Sequence, residues 1–146
     1  MKALLLIFLL IVIQLFQERD KEKDALQGSW SQTGGLYKDV DFSTGTYKNH
    51  ALPKSNLIIA GDSWTIELRN LHGPDPEITK GSFTLSTKTI PKGIDLKDEN
   101  RISKGIYKLS DNILTICQDP TGKMERPKDF DRCLSNGYAL ITYKRK

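Results

Sequence analysis

The sequence predicts an all-β fold, an antiparallel up-and-down barrel of about eight strands behind an N-terminal signal segment. Three observations carry that expectation. Short stretches from residue 26 onward alternate apolar and polar side chains with the period of two that a half-buried strand needs. Turn residues punctuate these stretches at intervals of roughly 8–12 residues, the spacing of a sandwich or a barrel. No convincing helical period runs between them. A barrel is the better of the two, because closing the sheet removes the edges that so many short strands would expose.

Residues 1–16 read as a targeting segment outside the fold. Met1 and Lys2 precede residues 3–16, which are apolar except for Gln14. That length suits the core of a signal peptide, about 7–15 residues behind a short positive region. It falls short of the roughly 20 residues that a membrane-spanning helix needs. No pair of small residues follows Phe16 at the spacing of a cleavage site, so an uncleaved thin anchor stands as the alternative and as the one expected route to a membrane. No cysteine precedes residue 117, which excludes a bacterial lipoprotein anchor. Residues 17–25 are charged and are expected to form a flexible lead-in, with 26–146 as the β-barrel domain.

Within that domain the first strand is expected over 26–33. Residues 34–56 carry the weakest signal, broken by Gly34, Gly35, Gly45 and Pro53, with room for one short helical turn. Leu57, Ile58, Ile59 and Ala60 then meet Gly61-Asp62, a two-residue connection suited to a tight hairpin. In 63–70, Trp64, Ile66 and Leu68 share one face, and Ser63, Thr65, Glu67 and Arg69 the other. Gly81, Phe83 and Leu85 line one face of 78–86, and Ile94 and Leu96 flank Asp95 in 92–97. Gly105, Tyr107 and Leu109 share a face of 101–110. Asp111-Asn112 turns the chain into 113–118, and 138–144 supplies the last strand. The barrel interior is thus expected to hold Trp64, Ile66, Leu68, Phe83, Leu85, Tyr107 and Leu109, which would line any ligand site there.

Composition narrows the function classes. The chain has 146 residues, 38% hydrophobic and 27% charged, with a formal net charge of +4. One domain fits that length. The hydrophobic share is too high for a disordered chain, and a single apolar run excludes a polytopic membrane protein. Removing residues 1–16 takes only Lys2 from the charge. The remaining lysines are spread along the chain, without the concentrated positive surface and stacking aromatics of a nucleic-acid binder, and no nucleic-acid partner is expected.

Several phrases arrive in a familiar order. They are Leu26-Gln27-Gly28-Ser29-Trp30, Ala60-Gly61-Asp62-Ser63-Trp64 and Gly81-Ser82-Phe83-Thr84-Leu85. Pro91-Lys92-Gly93-Ile94-Asp95-Leu96, Gly105-Ile106-Tyr107-Lys108-Leu109 and Leu114-Thr115-Ile116-Cys117 follow. Glu125-Arg126-Pro127 with Phe130 and the terminal Tyr143-Lys144-Arg145 complete the set. Together, over about residues 26–145, they resemble the small exported domain family of unknown function abundant in planctomycete bacteria. That family is similar in predicted architecture to lipocalin/calycin-like barrels and has no biochemical activity attached to it, so the resemblance implies a fold and no mechanism. The chain departs from the pattern in 36–56, which lack a charged helical segment, and at Cys133.

Gly28-Ser29-Trp30 is similar to the Gly-x-Trp of the first strand of lipocalin-type barrels. There the tryptophan plugs one barrel end and a basic residue near the C-terminus packs over its ring. The resemblance implies structural parts for Gly28 and Trp30, with Lys144 or Arg145 over the indole and Arg126 as a second candidate. A cation–π contact of that kind is worth roughly 0.5–2 kcal/mol.

Two cysteines, Cys117 and Cys133, bracket a loop containing Pro120, Gly122 and Pro127. In an oxidising compartment a disulfide between them would clamp it; the alternative is a buried thiol at Cys117 and an exposed one at Cys133. Metal ligation is not expected. His50 and His72 stand 22 positions apart, and Asp75 near His72 lies in a Pro-rich turn. No Gly-x-Ser-x-Gly phrase marks a nucleophile, and the carboxylates Asp95, Asp98 and Glu99 read as charged strand-end residues. No catalytic residue and no cofactor is assigned.

These readings converge on an exported, non-catalytic module that binds a small apolar or amphipathic ligand inside the barrel. The alternative is a solid barrel that meets a protein partner through the connections 34–56 and 119–136, since binding residues concentrate on loops.

Overall fold

The computed structural model describes residues 2–41, 43, 45–69, 73 and 75–146, apart from the side chains of 2–6, 8–10, 15, 16, 18, 19, 40, 41 and 47. A helix, α1 (Lys2–Leu26), leads into nine strands. These are β1 (Gly28–Asp41), β2 (Thr46–Ala51), β3 (Ser55–Ala60), β4 (Ser63–Leu68), β5 (Glu77–Ser86), β6 (Lys92–Lys97), β7 (Ile102–Ser110), β8 (Ile113–Gln118) and β9 (Ala139–Arg145). All pairings are antiparallel. Strands β3 to β9 follow one another around the sheet, and β1 bonds to both β3 and β9. The result is a closed eight-strand barrel with β2 left over.

The extra strand comes from residues 34–56, expected to be a loop with at most one helical turn. Strand β1 is 14 residues long and serves three neighbours in turn. Residues 28–31 face β3, 30–36 face β9, and 36–41 face β2. The register against β2 and β3 is one and the same: Leu36 lies opposite Ala51 and Ser31 opposite Asn56. Strands β2 and β3 are therefore a single strand interrupted at Leu52-Pro53-Lys54, where Leu52 N–H still bonds to Gly35 O at 2.9 Å. Proline has no N–H for the ladder, so the interruption sits where it must. Beyond Leu36, β1 and β2 run on as a two-stranded ribbon past the barrel rim. On it Tyr37 stacks on the cross-strand His50, ring centroids 5.2 Å apart.

Residues 17–25, expected to be a flexible lead-in, are helical. They form the last turns of α1 and rest on the barrel end. Glu22 pairs with Lys92 on β6 and accepts from the Tyr107 hydroxyl at 3.1 Å. Lys23 pairs with Asp62 in the β3–β4 turn. Gln27 holds that same turn, accepting from Gly61 N–H at 2.7 Å and donating to Gly61 O at 3.1 Å. Two of the charges that suggested a solvated segment, Glu22 and Lys23, are engaged at the barrel rim, and Leu26 is fully buried. Among the described residues no helix is long and apolar enough to cross a membrane.

Inside, the helix end of the barrel is filled. Trp30, Leu57, Ile59, Phe83, Ile94, Tyr107, Leu114 and Ile116 form one cluster with Leu26. Trp64 joins it by lying over Gly81, its register partner on β5. A Cβ on Gly81 would fall 2.7 Å from the indole and 1.9 Å from Lys97 O, so only glycine lets the ring lie there. A second, smaller cluster lies outside the barrel, where Ile106, Cys117, Cys133 and Tyr138 hold the chain between β8 and β9 against the sheet.

Candidate functional site

Both barrel ends are built from named residues, and they differ. At the helix end Trp30 is fully buried, and its Nε1 donates to Leu26 O at 3.0 Å. The Arg145 guanidinium lies 4.1 Å from the indole centroid. It donates to Gln27 O at 2.5 Å and Ala25 O at 2.6 Å. One cation thus covers the ring and satisfies carbonyls at the C-terminus of α1, where the helix dipole favours positive charge. Gly28 has φ +118 with Arg145 Nη1 3.1 Å from where a Cβ would be, so glycine is needed between helix and strand. Of the two terminal candidates, Arg145 lies over Trp30, while Lys144 on the neighbouring outward position is exposed.

Arg126 serves a different place. It reaches across the outer face of β6 and β7, donating to Gly105 O at 2.7 Å and pairing with both Asp95 carboxylate oxygens at 2.9 and 3.0 Å. It helps tie down the connection 119–136. The disulfide Cys117–Cys133, with Cα atoms 6.0 Å apart, ties the same connection at a second point.

A third tie is Asp119, fully buried at the end of β8. Its carboxylate accepts from Thr121 N–H and Oγ1, both at 2.7 Å, and from Met124 N–H at 2.8 Å. Burial works to raise its pKa, but the N–H groups of Met124, Thr121 and Gly122 and the Thr121 hydroxyl outweigh it and hold the carboxyl below the usual aspartate value. A depressed folded pKa stabilises above the unfolded value, about 3.9, and that contribution is lost as pH falls toward the folded one. Asp119→Asn is therefore expected to lower stability at neutral pH and to flatten its decline below about pH 4, as read from urea midpoints across the acid range.

The opposite end is hollow. A cavity of about 270 Å³ opens there, and every one of the eight barrel strands contributes to its wall. Trp64, Ile66, Leu96, Ile141 and Tyr143 give it an apolar floor. Higher up, the inward positions carry small or polar residues: Gln32, Ser55, Thr79, Ser103, Gln118 and Ala139. The change in side-chain volume along the barrel axis makes the cavity, because neighbours that small cannot meet across the interior. Burial raises the Tyr143 phenol pKa against the opposing influence of the neighbouring Ser55 hydroxyl, so that group stays neutral.

Most polar groups of the wall are already engaged. Ser55 Oγ donates to Gln32 Oε1 at 2.7 Å, and Ser103 Oγ donates to Asp119 O. At the mouth Asp98 accepts from Asn100 and Arg101 N–H at 2.8 and 2.9 Å. Arg101 pairs with Asp98 at 3.2 Å and donates to Pro120 O at 2.7 Å. Asp95 and Asp98, read together as strand-end carboxylates, point to different places and have different partners.

Of the seven expected interior residues, Trp64, Ile66 and Leu68 line this cavity. Phe83 and Leu85 pack in the filled half. Tyr107 and Leu109 also belong to that half and border an outer groove of about 600 Å³ beside α1, with Lys21, Glu22, Lys92 and Phe130. That groove is the larger, and two of its charges, Glu22 and Lys92, satisfy each other. The interior cavity, walled by all eight barrel strands, is the better ligand site. Sequence reading missed the polar wall because it followed apolar residues; the same period of two places Ser103 on the face of Tyr107, and Gln118 on the face of Ile116.

Among the described residues no three metal-ligating side chains meet. His50 stands on the ribbon, and His72 lies outside the described residues. No protein-family model matches the chain, and no curated relative is found. The eight-strand antiparallel barrel is the part of the resemblance that the structure bears out.

Proposed function

We propose that the protein is an exported, non-catalytic binding module that holds one small, mainly apolar molecule in the open end of its barrel. The observation that carries this reading is the cavity of about 270 Å³ walled by all eight strands. An apolar cavity of about 150 Å³ takes benzene, so this one suits a bicyclic ring or a short alkyl chain. Its apolar floor and polar wall fit an amphipathic guest. Export is supported by the apolar run 3–16 and by the disulfide, which persists in oxidising compartments. The ordered phrases resembling the exported planctomycete family agree with it.

The test is native mass spectrometry of the full-length protein recovered from the exported fraction, followed by organic extraction. A reproducible extra mass released by extraction identifies the class of cargo. A bare protein there that also takes up no small apolar compound in solution would sink the reading.

A second reading rests on the ribbon. Among the described residues β1 is the strand that pairs with β2, which makes β2 an edge strand of the sheet. A protein partner adding a strand to that edge would use main-chain hydrogen bonds. Partner capture that is lost on shortening the ribbon, with the cavity empty, would favour it.

A further inference from the structure

The two ends of α1 have different surroundings. Its last turn is built into the barrel: Leu26 is fully buried, Trp30 Nε1 donates to Leu26 O, and Arg145 donates to Ala25 O and Gln27 O. From there the helix runs unbroken back to Lys2. Residues 3–16 are apolar except for Gln14, and Ile7, Ile11 and Ile13 among them are exposed.

Two observations say what covers this stretch. Ile7 and Ile11 share a face of the helix, while Ile13 lies about 200° round from Ile11. A groove on a protein covers one side of a helix; hydrocarbon surrounds it, as a helix apolar all round requires. The second observation is charge. Lys21 lines the outer groove with Lys92 and Lys108 against one carboxylate, Glu22, and the exposed Asp20 and Asp24 lie off it. The rise from Phe16 to Lys21 is about 7.5 Å. That matches the roughly 5–7.5 Å headgroup layer on one side of a bilayer.

The fold also protects the connection. Removing a leader needs two small residues, two positions apart, ahead of the cut. Between Phe16 and the end of α1 no such pair occurs; the first is Ser29 and Ser31, on either side of the buried Trp30 in β1. A cut there would take the plug out of the barrel.

We propose that α1 stays on the mature protein and that residues 3–16 sit in a phospholipid bilayer, with Lys21, Lys92 and Lys108 facing the headgroup phosphates. The apolar run is about 21 Å long, so it enters the roughly 30 Å hydrocarbon core without crossing it. Because α1 joins the barrel at the filled end, the cavity opens at the end away from the attachment. The anchor acts whether the cavity is loaded or empty.

The test floats the purified full-length protein with vesicles of phosphatidylcholine, alone or mixed with phosphatidylglycerol. It is expected to float with both, at low and high salt, because the hold is apolar. Ile11→Asp and Ile13→Asp, on opposite faces, should each lower the floated fraction about tenfold or more. Both side chains are exposed, so the melting temperature should not move. At low salt the mixed vesicles should bind about fivefold more tightly, a gain that Lys21→Glu removes. A gain that survives Lys21→Glu overturns the part given to the groove. Flotation with neither lipid, or with the mixed vesicles at low salt only, overturns the insertion. Loss from one face alone would point to a protein groove and overturn the bilayer. The intact mass of the exported protein should retain residues 3–16; a chain starting between 17 and 22 overturns the retained helix.

Discussion

Trp30→Ala is expected to cost about 3–5 kcal/mol of folding stability, the range for truncating a fully buried aromatic. The loss should reach beyond the barrel. Trp30 Nε1 bonds to Leu26 O, and the Arg145 guanidinium over its ring bonds to Gln27 O and Ala25 O. Removing the ring leaves Leu26 above a void and Arg145 without its platform. The last turns of α1 should therefore exchange amide hydrogens faster in the variant, at 22–27 especially. Trp30→Phe keeps most of the packing and loses the N–H, so it should cost about 1 kcal/mol for the bond, plus the smaller ring. Equal, small losses in the two variants would mean that the plug is not what closes this end.

Removing the disulfide has the second large effect. Cys117 and Cys133 are 16 positions apart, and a cross-link over a loop of that size stabilises by about 3 kcal/mol in the chain-entropy model. Changing both cysteines to alanine should lower the melting temperature by roughly 6–12 °C for a chain of this size. A reducing agent should do the same to the unmodified protein and nothing to the variant. The damage should stay outside the barrel, because Cys117 faces the outer cluster with Ile106 and Tyr138 rather than the cavity. Faster exchange is expected in 119–138, with β3 to β6 unchanged. A melting point that reductant leaves in place would show the thiols unbonded in solution.

The barrel was legible because its evidence is local. Trp64, Ile66 and Leu68 declare their face by alternation, and Gly61-Asp62 marks the hairpin they belong to. The disulfide could be weighed from the spacing of two residues. Residues 34–56 were not legible, because β2 and β3 gain their meaning from one long register against β1 that Pro53 interrupts. The helical end of 17–25 was hidden for a related reason. A charged run reads as solvated until Lys92, Asp62 and Tyr107 are seen to receive Glu22 and Lys23 from it.

The cavity was the least legible feature. Its volume depends on which side chains meet across the barrel, and Ser55, Gln118 and Ala139 are remote in sequence. Gly81 shows the same point from the other side. It looks like a weak strand residue until its register partner is known to be Trp64, whose ring needs the space.

The barrel is filled at the helix end and hollow at the other. Titrating ¹⁵N-labelled protein with indole and mapping the amide shifts checks this residue by residue. The largest shifts are expected on 32, 55, 103, 118 and 139, around the open end, with 57, 83 and 107 little changed. Shifts centred instead on Lys21, Lys92 and Lys108 beside α1, or none up to the solubility limit of indole, would contradict it.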